Sequence, residues 1–307
     1  MRFSVVGANS FIARNFIFYL KKHHPDVDLF LYDIQDKHMD NVDNYNKINV
    51  LDSDDTNRIN YDVDLIYCFT GKTGTIKGFD EYRNYIDINE VSLLNILNSH
   101  RIKELNSRII FPSTRLVYKG KNGLVDEESE KEFKTVYSIN KYACEQYLKM
   151  YKNMYNINYT IFRICVPYGT MIDNISSYGT AEFMLSQAKQ GKNISLYGGG
   201  KVRRTLTHIM DLCRALYEGG ISKQCENEVY NIGGEDYSLF EMANKIAEVF
   251  KIRVIESSWP DDQLRIESGN TVFDSSKFDN TINYKYNHLF DEWIKQSYSQ
   301  QITKQDK

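Results

Sequence analysis

The chain has 307 residues, 42% hydrophobic and 26% charged, enough apolar material for one large domain or two intimately packed ones. With 38 basic and 41 acidic side chains its formal net charge is -3, so nothing in the overall charge favours nucleic acid or an anionic membrane as partner, and any phosphate recognition must be local. Its five cysteines lie far apart, without CxxC spacing and in odd number; they fit a reducing, cytoplasmic setting and give neither a disulfide framework nor a metal site. From Met1 to Lys22 apolar stretches are interrupted by Gly7-Ala8-Asn9-Ser10 and by Arg14-Asn15, and no other stretch reaches membrane-spanning length. Neither a leader nor a membrane span is expected.

Apolar runs bounded by turn residues alternate with helix-period segments, the pattern of strands and crossover helices in a doubly wound parallel sheet. Phe3 to Val6 reads as the first strand, Phe11 to Lys22 as the first helix, and Asp28 to Tyr32 as the second strand, ending at Asp33. Asp64 to Phe69 is a further buried strand, followed by a Gly/Thr-rich loop from Thr70 to Gly78. A helix from about Tyr85 to His100, a strand from Arg108 to Phe111, a helix from about Val136 to Tyr155 and a strand from Tyr159 to Ile164 continue the alternation. After Cys165 strands are expected to become fewer, with polar loops over 173–177 and at Gly198-Gly199-Gly200. A late strand, Glu228 to Ile232, ends in Gly233-Gly234 and leads to the amphipathic helix Ser238 to Phe250. The chain therefore divides into a sheet domain, 1–169 with 206–232 returning to it, and a smaller lobe, 170–205 and 233–307. There is no repeat, low-complexity tract or long linker.

The first strand-to-helix turn, Val6-Gly7-Ala8-Asn9-Ser10-Phe11-Ile12-Ala13, stands where a dinucleotide-binding fold needs small residues, so that the backbone can approach a pyrophosphate at the helix N-terminus. Only Gly7 is a glycine there; Ser10 and Ala13 occupy the second and third glycine positions, each adding a Cβ. Asp33 ends the second strand at about the right distance to accept hydrogen bonds from an adenosine ribose. Its charge repels a 2′-phosphate and favours NAD over NADP, although Arg14, just after the turn, is a cation that argues the other way.

Tyr137-Ser138-Ile139-Asn140-Lys141 puts a phenol and an ammonium one helical turn apart on one face. The cation lowers the tyrosine pKa, so that Tyr137 can exchange a proton with a substrate hydroxyl during hydride transfer. Tyr197 and Lys201 share the spacing, but three glycines separate them and no helix would hold them together. The strand Ile109-Ile110-Phe111-Pro112 delivers the hydroxyls of Ser113 and Thr114 at its end, and Thr114 can hydrogen-bond the reacting oxygen. Singly, each feature has a plain structural reading: a turn, a solvated carboxylate, a surface helix, a strand-end cap. Together they favour the chemical one.

The assembled segments resemble the extended short-chain dehydrogenase/reductase family, in its NAD-dependent nucleotide-sugar epimerase/dehydratase branch, from Arg2 to about Lys277. Ser113-Thr114-Arg115-Leu116-Val117-Tyr118 is similar to the family's Ser-Ser-x-x-Val-Tyr segment. Tyr137 to Lys141, followed by Glu145, resembles its YxxSK helix, with Asn140 where serine is usual. Phe69-Thr70-Gly71 resembles the loop packed on the cofactor, Asn89 a bracing asparagine, and Cys165-Val166-Pro167-Tyr168-Gly169 the segment beyond the next strand, with Val166 in place of a frequent substrate-binding asparagine. Ile194 to Gly198 and Arg203 to Asp211 resemble the nucleotide-binding strand and the R-D-x-x-x-V-x-D element, with Thr205 where aspartate is usual. Asn231-Ile232-Gly233-Gly234 and Asp274-Ser275-Ser276-Lys277 complete the pattern.

The resemblance implies an α/β fold with a Rossmann-like doubly wound parallel sheet and a smaller C-terminal α/β substrate-binding lobe. It implies NAD held by Gly7, Ser10, Phe11, Ile12, Asp33, Ile34, Asp52 and Ser53 at its adenosine and phosphates. Phe69, Thr70, Gly71, Asn89, Ser113, Tyr137, Lys141 and Cys165 would complete the cofactor site. Thr114, Tyr137 and Lys141 are the implied catalytic residues. A nucleotide-diphosphate sugar would meet Thr114, Val166, Thr180, Tyr197, Arg204 and Arg265, with Arg204 gripping the diphosphate. A homodimer built from the two long helices is also implied. Family dehydratases carry an Asp-Glu pair directly after the catalytic hydroxyl; here Arg115 and Leu116 stand there. Family reductases usually take NADPH, against which Asp33 argues. Epimerisation, expected at C4 through a transient 4-keto sugar, is the leading reading. A 4-dehydrogenase or 4-ketoreductase is the alternative, as is an idle NAD-binding scaffold hinted at by Ser10, Ala13, Asn140 and Thr205. Neither the base nor the sugar is readable.

Overall fold

The computed structural model describes residues 1–172 and 179–305, so the polar loop expected over 173–177 lies outside the described residues. In chain order the strands of the first half are β1 (Arg2–Val6), β2 (Asp28–Asp33), β3 (Tyr45–Lys47), β4 (Leu65–Cys68), β5 (Arg108–Thr114), β6 (Leu124–Val125) and β7 (Tyr159–Ile164). Those of the second half are β8 (Val166–Tyr168), β9 (Ile194–Tyr197), β10 (Arg203–His208), β11 (Glu228–Asn231), β12 (Glu235–Ser238), β13 (Val254–Ser257) and β14 (Val272–Phe273). The expected thinning of strands after Cys165 is therefore incorrect: the later strands are as numerous among the described residues, but most are too short to show a period of two.

Seven of them form one parallel sheet in the order β11-β7-β5-β4-β1-β2-β3. The chain order reverses between β1 and β4, which opens a crevice at the carboxyl ends of these two strands. β4, β5 and β7 are buried along their whole length, as strands covered on both faces must be. Successive side chains go to opposite cores. Val5, Tyr67 and Phe162 join Phe3, Phe16, Leu20 and Leu216 on one face, while Val6, Ile66 and Ile161 join Ile109, Phe111, Leu97 and Leu148 on the other. A third core, with Met184, Leu196, Met242, Ile246 and Phe290, belongs to the smaller lobe and its short sheets. The assignment of all of 233–307 to that lobe needs correction, because Phe278 and Tyr284 pack into the core around Phe3 and Phe16.

Two helices bear on the site. Val136–Tyr155 starts where Thr135 and Ser138 form a reciprocal capping box and stops at Asn156, whose left-handed φ of 57° breaks the helix. The helix expected over Tyr85 to His100 is not continuous: Tyr82–Ile86 and Ser92–Lys103 are joined by a π-helical turn, Asp87–Val91. The wider turn re-aims Asn89 and Glu90.

A buried polar network clamps the elements together. Glu145 of the helix Val136–Tyr155 receives Arg163 of β7 through both oxygens, at 2.9 and 2.5 Å, and the Ser113 hydroxyl of β5 at 2.6 Å. Arg163 also donates to the Tyr118 hydroxyl, which donates to Asn231 at the end of β11. Both charged side chains are essentially inaccessible, at 3% and 0% exposure, so neither can lose its partner without an uncompensated buried charge. Arg163→Met is expected to cost about 3–5 kcal/mol in urea unfolding. The double change Arg163→Met with Glu145→Leu should recover much of that loss; equal losses in the single and double variants would show that the charge pairing is not what matters.

Candidate active site

The sequence-expected residues converge on the carboxyl ends of the parallel strands. Gly7 follows β1, Asp33 closes β2, Phe69 to Gly71 follow β4, Ser113 and Thr114 end β5, and Cys165 follows β7. Gly7 has a φ of 82°, and a Cβ there would lie 2.5 Å from the Thr70 amide nitrogen, so only glycine lets the β1 and β4 loops meet. The amides of Gly7 and Ala8 bond the Tyr32 carbonyl, fixing the turn. Ser10 caps the helix Phe11–His23 by backbone conformation alone; its hydroxyl forms no cap bond. Ser10 Oγ and Thr70 Oγ1 are both buried and meet no protein partner. Two unspent hydroxyls beside a glycine cradle at a helix N-terminus fit a phosphate-bearing dinucleotide. Phe11 and Ile12 are half-buried against the core around Phe3.

Asp33 accepts the Asn9 amide at 2.9 Å through Oδ2 and the Ile34 amide at 2.8 Å through Oδ1, so its carboxylate is held at the crevice rim. The counter-argument from Arg14 falls away. Asp40 takes the Arg14 guanidinium in a bidentate pair at 2.8 and 2.6 Å, so Arg14 is already neutralised and is not an open cation for a 2′-phosphate. Asp40 was not singled out from sequence, where nothing in its spacing links it to Arg14. The Asp52 carboxylate serves as a cap, accepting the Asp54 and Asp55 amides of the short helix Ser53–Thr56.

Tyr137 is half-buried in the first turn of its helix, and Lys141 is 7% exposed one turn later. Lys141 Nζ donates to the Pro112 carbonyl at 2.7 Å and lies 4.2 Å from the centre of the Phe111 ring, which ties the ammonium to β5 next to Thr114. Burial pulls its pKa down to about 8. Thr114, 7% exposed, ends β5 and accepts the Leu116 amide at 3.3 Å. Asn140, in the usual serine position, bonds Glu90 at 2.5 Å and approaches Asn89 at 3.4 Å; Asn89 in turn holds the Lys72 amide and carbonyl beside Gly71. Glu90 was missed from sequence because the π-helical turn that aims it leaves the amphipathic pattern intact. No right-handed helical turn joins Tyr197 to Lys201, since Gly198, Gly199 and Gly200 all take positive φ between them.

Several expected contacts are placed otherwise. The Ser113 hydroxyl donates its proton to Glu145 and could meet a ligand only as an acceptor. The Cys165 thiol bonds the Thr271 carbonyl at 3.4 Å, and Val166 is buried in β8 opposite Leu206. Arg204 is not an exposed anchor: it is 3% accessible, with Glu267 at 2.5 Å and the Arg203 and Gly269 carbonyls completing its shell. Glu267 orients Arg204 where the absent aspartate would have, because Thr205 instead accepts the Phe273 amide at 2.8 Å. Thr180 and Arg265 are exposed on lobe helices, and Tyr197 is exposed on β9 beside Trp259, with ring centres 5.2 Å apart.

Among known proteins, the chain from residue 3 to residue 233 matches the family model described as the NAD dependent epimerase/dehydratase family. A Methanocaldococcus jannaschii protein carrying the provisional name UDP-glucose 4-epimerase is 24% identical over 244 residues, 78% of this chain and 79% of that protein. The UDP-glucose 4-epimerase of Thermotoga maritima, solved with UDP-glucose, superposes with a TM-score of 0.85 at 18% identity over the whole of both chains. An L-threonine dehydrogenase from Cupriavidus necator superposes almost as well, with a TM-score of 0.83 at 18% identity over 98% of this chain and 99% of that one. At such identities the superpositions show a shared fold, which hosts more than one chemistry. The family model covers most of the chain and agrees with the crevice at β1 and β4: the chain belongs to the NAD dependent epimerase/dehydratase family, and its cofactor is NAD.

Proposed function

We propose that the chain is a nucleotide-sugar epimerase acting at C4 of a hexose through a transient 4-keto sugar. The observation that carries this reading is the Lys141 ammonium tied to the Pro112 carbonyl of β5 beside Thr114, one helical turn after Tyr137, with Arg115 and Leu116 rather than an acid–base pair following the hydroxyl. Gly7, Ser10, Asp33 and Thr70 would hold NAD. When bound, NAD supplies reversible hydride exchange at the sugar carbon.

Tyr137 exchanges the proton of the C4 hydroxyl. Thr114 hydrogen-bonds the same oxygen and keeps it in reach of the phenol. Lys141, tied to the Pro112 carbonyl, supplies the positive charge that favours the phenolate, and with a pKa of about 8 it is mostly protonated at neutral pH. The lobe must hold the nucleotide while the sugar turns to present its other face. Tyr197 and Arg265, exposed on that lobe, would make such contacts. The family model and the Methanocaldococcus relative support the epimerase reading.

The test is incubation with UDP-, GDP-, CDP- and dTDP-hexoses, followed by NMR. A new sugar isomer with no net NADH is expected, and Tyr137→Phe should lower its rate of formation by about 10²- to 10⁴-fold while leaving bound NAD unchanged. Stoichiometric NADH would make the chain a dehydrogenase instead, and full turnover without the phenol would remove Tyr137 from the chemistry.

The cofactor residues carry a prediction of opposite signs. Thr70→Val deletes a buried hydroxyl without a protein partner, so the NAD-free protein should gain about 1 kcal/mol of stability while NAD binds about tenfold more weakly. Thermal unfolding with and without NAD measures both. Equal changes in the two melts would mean that the hydroxyl does not face the cofactor.

A further inference from the structure

Arg115 follows Thr114 directly and is partly exposed. Its Nη1 donates to two neutral hydroxyls, Ser268 Oγ at 3.0 Å and Thr271 Oγ1 at 3.4 Å. Arg14, Arg163 and Arg204 are each paired with a carboxylate, whereas Arg115 makes no ion pair among the described residues. The nearby Glu267 is already committed, its Oε1 accepting both Arg204 and the Gly269 amide. Arg115, Arg204 and Glu267 together therefore retain one net positive charge. Burial, and then repulsion from Arg204, lower the Arg115 pKa to about 10, which still leaves it a cation at neutral pH.

The Nε–Nη2 edge of this guanidinium has no protein partner among the described residues. That edge presents two parallel N–H donors, the geometry that matches a carboxylate or phosphate. Its neighbours are Thr114, which the proposed reaction uses, Thr271, whose carbonyl accepts the Cys165 thiol, and Arg204 of β10.

Resting on the nucleotide-sugar reading, we propose that Arg115 binds an oxyanion of the substrate, and that this oxyanion is a carboxylate on the sugar ring rather than the diphosphate. The guanidinium is tied through Thr271 to Cys165, which directly follows Ile164, the register partner of Thr114, so it is held at the carboxyl end of β5 where the reacting carbon would sit. A carboxylate at C6 of a hexuronic acid lies two bonds from C4, while the diphosphate leaves from C1 across the ring.

The experiment compares NAD-loaded wild type with Arg115→Gln and Arg115→Lys by calorimetric titration of UDP, UDP-glucose and UDP-glucuronic acid, or of the corresponding compounds of another nucleotide if the sugar panel selects it. Wild type should bind the uronic acid more tightly than the neutral sugar. Arg115→Gln should weaken the uronic acid by about 10- to 100-fold and leave the other two within about twofold. Arg115→Lys should fall between, keeping the charge without the planar fork, and it decides the matter if the glutamine variant does not fold. Equal weakening of all three ligands assigns the oxyanion to the diphosphate and overturns the sugar-carboxylate assignment. No weakening of any overturns the role of Arg115 alone. Failure of wild type to bind any nucleotide or nucleotide sugar overturns the nucleotide-sugar reading, and this inference with it.

Discussion

Glu145 and Arg163 are buried where neither can reach water, and each makes the other tolerable. Their pairing joins the helix Val136–Tyr155 to β7, and through the Ser113 hydroxyl and Tyr118 it extends to β5 and to Asn231 of β11. A buried ion pair of this kind adds little net stability over well-packed apolar groups, because desolvation offsets most of the attraction. Its value lies in position: the helix cannot slide or rotate against the sheet without exposing a charge to an apolar core.

That constraint sets the groups proposed to react. Glu145 is one turn beyond Lys141 and two beyond Tyr137, all on one face of the helix, while Ser113 precedes Thr114 on β5. Fixing Glu145 against Ser113 therefore fixes the phenol and ammonium against the Thr114 hydroxyl. Lys141 adds a second tie through the Pro112 carbonyl, and Asn140 a third through Glu90 and Asn89 on the neighbouring helix. Asn140, where the resemblance would have serine, is taken up by this bracing.

Much of the large sheet was legible because its strands are covered on both faces and read as apolar runs with clear boundaries. The helix Val136–Tyr155 and the strand Tyr159–Ile164 stand where the pattern puts them. Tyr45–Lys47 escaped because an edge strand of three polar or amphipathic residues has no apolar signal. The π-helical turn escaped because one extra residue hardly disturbs helical periodicity. At the site, the elements carrying Gly7, Asp33, Thr114, Tyr137 and Lys141 were readable from local spacing. The partners that modify their neighbours were not: Glu267 lies 63 residues after Arg204, and Asp40 lies 26 after Arg14, in segments that carry no motif. Residue identity marked the cations, but only the fold shows which of them are already neutralised.

The capping box at Thr135 and Ser138 has an electrical consequence. By starting the helix at Val136, it places Tyr137 at the second helical position, at the end where the aligned peptide dipoles leave a partial positive charge. Helical side chains lean back toward the N-terminus, which brings the phenol toward that charge. The backbone thus adds a fixed positive potential, independent of pH, to the titratable one of Lys141. Part of the positive field at Tyr137 is therefore set by where the helix begins and survives any change in the charge of Lys141.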